Sequence, residues 1–115
     1  MTLREKQSAF ANLVAILIVQ AKVLGFEVTL GEAWRSPEEA ERLAKRGVGI
    51  KRSLHQDRLA IDLNLFKDGV YLSSTEAHRP LGEWWEAQSH GEIVCAWGGR
   101  FNDGNHYSVS HGGRR

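Results

Sequence analysis

The predicted order of helices and strands is compatible with an α+β fold, and three observations carry this expectation. Apolar residues recur at three- and four-residue steps from about Leu3 to Leu24, which predicts a long helix that Gly25 closes at its C′ position. Apolar and polar residues alternate from Phe26 to Leu30, which predicts a half-buried strand. The stretch Lys67–Gly69 has the turn chemistry of a hairpin, with glycine where a positive φ is needed.

A second helix is predicted by capping signals after the first strand. Ser36 is expected to be the N-cap residue and Pro37 the first helical residue. Glu39 is placed to complete a capping box with Ser36. The helix is expected to run to Arg46 and to stop at Gly47.

The middle of the chain is predicted to hold a loop followed by a hairpin. The segment from Gly47 to Arg52 is expected to be a loop that delivers Ser53 and His55. The apolar run Leu59–Phe66 predicts a buried strand, and Val70–Leu72 is its expected return strand.

The C-terminal part begins with a third predicted helix, capped by Ser73 or Ser74, with Pro80 in an irregular first part. This helix includes Leu81 and the pair Trp84 and Trp85, which we expect in the core rather than on a binding surface. The remaining predicted elements are the strand Ile93–Trp97, a turn at Gly98 and Gly99, the strand His106–Val109 and a frayed tail from Ser110 to Arg115.

Length and composition indicate one folded domain. The chain has 115 residues, of which 42% are hydrophobic and 25% charged, close to the averages of globular proteins. Its formal net charge of +1 is too small to predict binding to nucleic acid. A local basic segment is interpreted as a solvated helix end rather than a polyanion site; it comprises Arg42, Lys45, Arg46, Lys51 and Arg52.

The number of cysteines and the hydropathy of the chain indicate the cellular compartment in which we expect it to fold. Cys95 is the single cysteine, so no intramolecular disulfide can form and a reducing cytoplasm suits the chain. Its apolar neighbours favour a small buried side chain over a nucleophile. The apolar run Leu13–Val19 is too short to span a bilayer, and no signal-peptide pattern precedes Gly25.

Three side chains could form one metal site. His55, Asp62 and His106 offer two imidazoles and a carboxylate, which zinc accepts, and three protein ligands would leave a fourth position open for catalysis. Asp103 precedes His106 by three residues, so its carboxylate could lie beside the metal and take a proton from water. Alternatively, Asp103 and Gly104 merely form a turn. Spacing alone leaves the two interpretations level, while His78, His90 and His111 are expected to be surface or hydrogen-bonded histidines.

A family resemblance favours the catalytic interpretation. The chain resembles the D-alanyl-D-alanine carboxypeptidase family of zinc peptidases, which includes phage endolysins that cut the L-alanyl-D-glutamate bond. The resemblance spans most of the chain and is specific only in combination. Its motifs are Ala33-Trp34-Arg35-Ser36-Pro37-Glu38, Ser53-Leu54-His55, Leu59-Ala60-Ile61-Asp62, Trp97-Gly98-Gly99-Arg100-Phe101 and Asp103-Gly104-Asn105-His106.

The resemblance implies a role for each matching residue. His55, Asp62 and His106 would bind zinc, and Asp103 would be the catalytic base. Arg35 would hold the substrate or steady its polarised carbonyl, while Ser53 matches a position beside the site. The resemblance also implies an α+β fold, with a small, mainly antiparallel sheet, about three helices packed outside and a zinc cleft on the sheet.

The same resemblance implies a biological setting. The expected substrate is the stem peptide of bacterial peptidoglycan, cut by a single catalytic domain without a separate wall-binding module. The protein would act as a monomer, without nucleic acid or stable membrane association. It would stay in the host cytoplasm until a holin-like pore released it to the cell wall.

Two positions depart from the family pattern. Arg58 replaces a glycine that tolerates a positive φ, which could reshape the loop that carries His55. Ser108 stands where a carboxylate is common, which weakens any supporting role at that position. Neither departure removes a proposed ligand or Asp103. Three other hypotheses stay open: a D-Ala-D-Ala carboxypeptidase, a binding module that keeps zinc without turnover, and a zinc-stabilised structural domain.

Overall fold

One long central strand connects the two halves of the sheet. The computed structural model describes residues 1–47 and 53–115. Its helices are α1 (Leu3–Val23), α2 (Pro37–Lys45) and α3 (Arg79–Ala87), with short 3₁₀ turns at Glu76–His78 and Gly98–Phe101. Its strands are β1 (Glu27–Leu30), β2 (Ala60–Lys67), β3 (Val70–Leu72), β4 (Cys95–Trp97) and β5 (His106–Val109).

Every strand pairing in the described residues is antiparallel. The strand order is β1-β2-β5-β4, and β3 also pairs with β2. The first residues of β2 pair with β5, and its later residues pair with β1 and β3. Three helices and a five-stranded antiparallel sheet confirm the predicted α+β class.

Local signals at both ends explain the extent of α1. Thr2 and Glu5 form a reciprocal capping box, a signal that the sequence analysis did not use. At the other end Gly25 has a φ of 91° and donates to the Lys22 carbonyl, while Phe26 donates to that of Ala21. This double hydrogen bond is the Schellman arrangement, so the predicted role of Gly25 is confirmed. None of the helices in residues 1–47 and 53–115 has the length and apolarity needed to cross a bilayer.

The start of α2 matches the prediction only in part. The Ser36 hydroxyl accepts a hydrogen bond from the Glu39 N–H at 3.0 Å, which confirms Ser36 as N-cap. The predicted capping box is wrong, because the Glu39 carboxylate binds the Arg42 guanidinium instead. The helix ends at Lys45, and the predicted loop beyond Gly47, residues 48–52, lies outside the described residues.

The hairpin and the third helix follow their turn chemistry. Asp68 and Gly69 both have a positive φ, as a tight hairpin turn requires. The Ser74 hydroxyl accepts from the Ala77 N–H at 3.2 Å, and a single 3₁₀ turn precedes α3. That turn is the irregular start expected near Pro80.

Two expectations near the C-terminus are corrected. The predicted strand from Ile93 is shorter and begins at Cys95, because Ile93 bonds back to His90 in an isolated bridge. The tail is not frayed: His111 and Arg114 bridge one another, and Arg114 lies 2.5 Å from a carboxylate oxygen of Asp57. An ion pair between distant parts of the chain leaves no signal in local sequence, so the tail could not be predicted.

The core lies between the sheet and the helices α1 and α3, and aromatic side chains dominate it. Trp85 is fully buried, and its indole N–H lies 3.1 Å from the Ala96 carbonyl and 3.0 Å from that of Ser108. Trp84 is partly buried against the same cluster, which confirms the expected core role of the tryptophan pair. A Cβ on Gly82 would lie 2.2 Å from the Trp97 ring, so the absence of a side chain there permits α3 to pack on β4.

One buried histidine belongs to this core. His78 is 3% exposed, and its Nδ1 lies 2.8 Å from the hydroxyl of Tyr107. Burial lowers the pKa of His78 to about 4, so the imidazole is neutral at pH 7. This contact confirms the expectation of a hydrogen-bonded histidine.

His78 should therefore make the folded state sensitive to acid. An unfolded-state histidine titrates near pH 6.5, so between about pH 6.5 and pH 4 only the unfolded chain gains the proton. The free energy of unfolding should be unaffected by His78 above this window and should fall as pH drops through it. Urea midpoints should show a smaller acid loss in His78→Gln than in the wild type. The exposed His90→Gln serves as control, and equal slopes for wild type and His78→Gln would contradict this assignment.

Candidate metal centre

The sheet register brings two candidate ligands together. Asp62 on β2 and His106 on β5 lie directly opposite each other. The Leu63 N–H donates to the Asn105 carbonyl at 3.0 Å, so the adjacent positions carry the backbone hydrogen bonds. Asp62 and His106 are thus a non-hydrogen-bonded pair, in which opposite Cα atoms are only about 4.5 Å apart and side chains lie closest. A one-residue slip would turn Asp62 to the other face of the sheet.

A tight turn at residues 53–58 brings the third candidate ligand, His55, back to the sheet. The Ser53 hydroxyl accepts a hydrogen bond from the His55 N–H at 3.1 Å. The His55 carbonyl accepts from the N–H groups of Arg35 and Arg58, at 3.2 Å and 3.3 Å. Both Ser53 and His55 are buried. Ser53 thus lines the cleft and steadies the backbone beside the site.

Arg58 adopts a left-handed backbone conformation in the turn that carries His55. Its φ is 56°, a value that residues with a side chain rarely adopt. A non-glycine residue pays roughly 1–2 kcal/mol for this conformation. The Arg58 guanidinium lies 4.9 Å from the centroid of the Trp34 ring, a contact that offsets part of this strain.

Donor atoms of the three residues converge on one point. His55 Nε2 lies 3.4 Å and His106 Nδ1 3.5 Å from Oδ1 of Asp62, and one ligand atom from each residue lies within 4.8 Å of the others. Two ligands of a tetrahedral site with bonds of about 2.1 Å would be separated by roughly 3.4 Å. The two contacts to Asp62 match this separation.

Hydrogen bonding selects the His55 tautomer that suits metal binding. Nδ1 of His55 lies 3.1 Å from the Ala33 carbonyl, which can only accept, so Nδ1 carries the proton. Nε2 therefore presents its lone pair toward Asp62. The Glu32 carboxylate, 3.7 Å from the same Nδ1, adds negative charge behind the ring. Such an outer partner is the usual support of a metal-binding imidazole.

The charge of the Asp62 carboxylate is compensated only by its neighbours. Burial alone would raise the pKa of Asp62, but the His106 and His55 imidazoles outweigh it and lower that pKa to about 2. Burial would also lower the pKa of His55, but contact with Asp62 prevails and raises it. Asp62 is therefore ionised at neutral pH.

This donor set fits a divalent metal ion such as zinc. Oδ1 of Asp62 is buried and has no hydrogen-bond partner among the described residues, although it belongs to an ionised carboxylate. A buried charge without a bonded partner is destabilising unless a cation meets it. Two imidazoles and one carboxylate oxygen are donors that zinc accepts, and a metal ion at their meeting point would satisfy Oδ1.

Arg35 reaches the site from the segment that follows β1. Backbone bonds between residues 31–32 and Asp62 continue the sheet beyond β1: Gly31 donates to the Asp62 carbonyl and Asp62 to that of Glu32, each at 2.8 Å. The guanidinium of Arg35 donates from Nε and Nη2 to Oε1 of Glu32. This pairing orients Arg35, whose side chain lines the cleft.

Asp103 lies in a turn whose side chain belongs to the site. Its carbonyl accepts from the His106 N–H at 3.1 Å, as the turn interpretation requires, while its carboxylate lines the same cleft as His55 and Arg35. A Cβ on Gly98 would lie 2.1 Å from the Asp103 carbonyl oxygen and 2.7 Å from the His106 Cβ. Gly98 thus permits the close approach that sets both residues in place.

The surroundings of the Asp103 carboxyl group raise its pKa. Partial removal from water is the largest effect and raises its pKa, and the charge of Asp62 adds to this against the opposing effect of His106. A carboxylate with a raised pKa holds an abstracted proton more readily than one with the ordinary pKa of an aspartate.

The three candidate ligands, Arg35, Ser53 and Asp103 border one open cleft of about 440 Å³. Three of its other lining residues were not predicted to have a role in the site: Phe101, Arg114 and Arg115. Glu32, which supports both Arg35 and His55, was also missed. No local pattern signals its role, because residues 31–36 are not helical and its contact with His55 joins distant parts of the chain.

The remaining candidates lie outside the centre. His90 is exposed and His111 contacts Lys6, as expected of surface histidines. Cys95 is buried, and desolvation raises the pKa of its thiol to about 11, which agrees with a packing role. Ser108 is fully buried, and its hydroxyl has no hydrogen-bond partner among the described residues.

No protein-family model matches this chain, and no curated protein matches it either. Interpretation of the centre consequently depends on the geometry of the side chains themselves.

The arrangement predicts one zinc ion per chain, held by His55, Asp62 and His106. Replacing both histidines with alanine should abolish zinc retention in elemental analysis after dialysis, since a lone carboxylate is a weak zinc ligand. The matched control is His90→Ala together with His111→Ala, which should retain full occupancy. Undiminished zinc in the His55→Ala, His106→Ala variant would show that the ligands lie elsewhere.

Proposed function

We propose that this protein is a zinc peptidase that hydrolyses a peptide bond in peptidoglycan stem peptides. The L-alanyl-D-glutamate bond, as in phage endolysins of the resembling family, is the favoured target. The observation that carries the proposal is the meeting of the three donor atoms with a carboxylate of raised pKa and a guanidinium in one open cleft. A purely structural zinc site would need neither Asp103 nor Arg35.

Different residues of the cleft would have different roles in the hydrolysis. His55, Asp62 and His106 would hold zinc, which supplies activation of water and polarisation of the scissile carbonyl when bound. A carboxylate oxygen of Asp103 accepts the proton of the attacking water and later donates it to the leaving nitrogen. Arg35, held by Glu32, donates hydrogen bonds to the developing negative charge on the carbonyl oxygen.

Other functions remain as alternatives. A D-Ala-D-Ala carboxypeptidase would use the same groups on a different bond of the stem peptide. A binding module without turnover would keep the zinc ligands but has no need of Asp103. Exposure of the Asp103 carboxylate to the cleft favours an enzyme over this module.

Digestion of purified peptidoglycan tests the proposal directly. The protein should release soluble fragments, and removal of metal by a chelator should stop the release until zinc is restored. Fragment masses distinguish cleavage after L-alanine from loss of a terminal D-alanine. Absence of any new fragment with zinc bound would rule out the peptidase.

Asp103→Asn should remove activity while preserving fold and zinc. The amide keeps the shape of the side chain but cannot accept the proton, and loss of a general base typically costs on the order of 10²–10⁴ in rate. Turnover, zinc content and melting temperature should be measured on one preparation. Asp68→Asn, in the β-hairpin turn, is the matched control and should be fully active. A near-normal rate for Asp103→Asn would leave Asp103 with its turn role alone.

Arg35→Ala should lower turnover and leave the zinc content unchanged. The guanidinium faces the cleft but binds no metal, and its fork suits a polarised carbonyl. Arg42→Ala is a close control, because Arg42 also pairs with a glutamate three residues earlier but lies on α2 outside the cleft. Equal kinetics for the two variants would assign Arg35 a structural role.

A further inference from the structure

Among the described residues, three guanidinium groups border the cleft, and they differ in whether a carboxylate pairs with them. Arg35 pairs with Glu32, and Arg114 pairs with Asp57 at 2.5 Å. Arg115 has no ion-pair partner among the described residues, and it is exposed at the cleft. The cleft therefore presents one cation that no carboxylate of the described chain neutralises.

Aromatic contacts determine where Arg115 lies. Its guanidinium carbon is 5.3 Å from the centroid of the Phe101 ring, and that ring lies 5.7 Å from the ring of His106. The ion pair of Arg114 with Asp57 ties the preceding residue to the turn that carries His55. Stacking uses the face of a guanidinium and leaves its N–H edge available for a bidentate acceptor. Arg115 is thus one aromatic ring away from a candidate metal ligand.

The proposed substrates share an anionic group next to the bond that is cut. In a stem peptide, D-glutamate is linked onward through its side chain, so its α-carboxylate is free. A terminal D-alanine also has a free α-carboxylate. In both cases the carboxylate belongs to the residue that supplies the leaving nitrogen. It therefore lies next to the scissile bond, where the cleft holds Asp62 and Asp103 and needs a cation to accept it.

We propose that Arg115 binds the free α-carboxylate of the residue that follows the scissile bond. This inference rests on the proposed function and names the specificity determinant of the same site. It predicts that peptides with a free carboxylate at this position bind more tightly than their primary amides.

Two pairs of synthetic peptides test the inference. In the first pair, an L-alanyl-γ-D-glutamyl peptide has either a free α-carboxylate or a primary amide on its D-glutamate. In the second pair, a peptide that ends in D-Ala-D-Ala has either a free terminal carboxylate or a primary amide. Calorimetry on zinc-loaded Asp103→Asn protein measures binding without turnover, and wild-type digestion measures cleavage. The carboxylate of at least one pair should bind about tenfold or more tightly than the amide, since a hydrogen bond between two charged groups is stronger than one to a neutral amide. The pair with the larger preference identifies the source of the carboxylate.

Substitution of Arg115 tests whether this residue causes the preference for the free carboxylate over the amide. Arg115→Gln should bring the carboxylate-to-amide ratio close to one by weakening only the carboxylate peptide, and Arg115→Lys should restore part of it. Arg4→Gln removes the same charge on α1 from a residue that does not line the cleft, and it should keep the full ratio. An unchanged ratio in Arg115→Gln, an equal weakening of both peptides, or no preference in the parent protein would overturn the inference.

The outcome also separates this inference from the proposed function. Cleavage without any dependence on Arg115 would support the peptidase and refute the carboxylate site. Binding with an Arg115-dependent preference, but without cleavage by the wild-type protein, would support the carboxylate site and refute the peptidase.

Discussion

The structure depends on one cross-strand pair, Asp62 opposite His106. Antiparallel pairing at a non-hydrogen-bonded position brings these side chains as close as a sheet permits. The resulting centre combines a buried carboxylate oxygen that lacks a hydrogen-bond partner in the described chain with two imidazoles that keep it ionised. Such a group is destabilising by itself and becomes favourable with a cation. A cation that binds Asp62 would therefore also stabilise the folded chain.

The surrounding elements serve this pair through backbone contacts. The extension of β1 bonds to Asp62 on the side away from His106, and it brings Arg35 to the cleft and Glu32 beside it. The turn that carries His55 is held by the hydroxyl of Ser53 and by the N–H of Arg35. These bonds are made by backbone groups and one short side chain, which preorganises a site better than long exposed side chains would.

Close approach and backbone strain occur at the edges of the centre. Gly98 has no space for a Cβ beneath the Asp103 turn, so even alanine there would displace the proposed base or the adjacent ligand. Arg58 holds a left-handed conformation next to the His55 turn. Strain of this kind persists where surrounding contacts over-determine the backbone, and here the hydrogen bonds of the turn supply them.

Sequence by itself determined the helices, most strands and the candidate ligands, because caps, turns and hydrophobic periodicity are local. Gly25, Ser36 and the Asp68–Gly69 turn act through bonds within a few residues, so their effects were readable. Only tertiary structure decided the register that joins Asp62 to His106, the support of Arg35 by Glu32 and the position of the tail. Each depends on contacts that only the folded chain creates, such as the pairing of Arg114 with Asp57 across 57 residues.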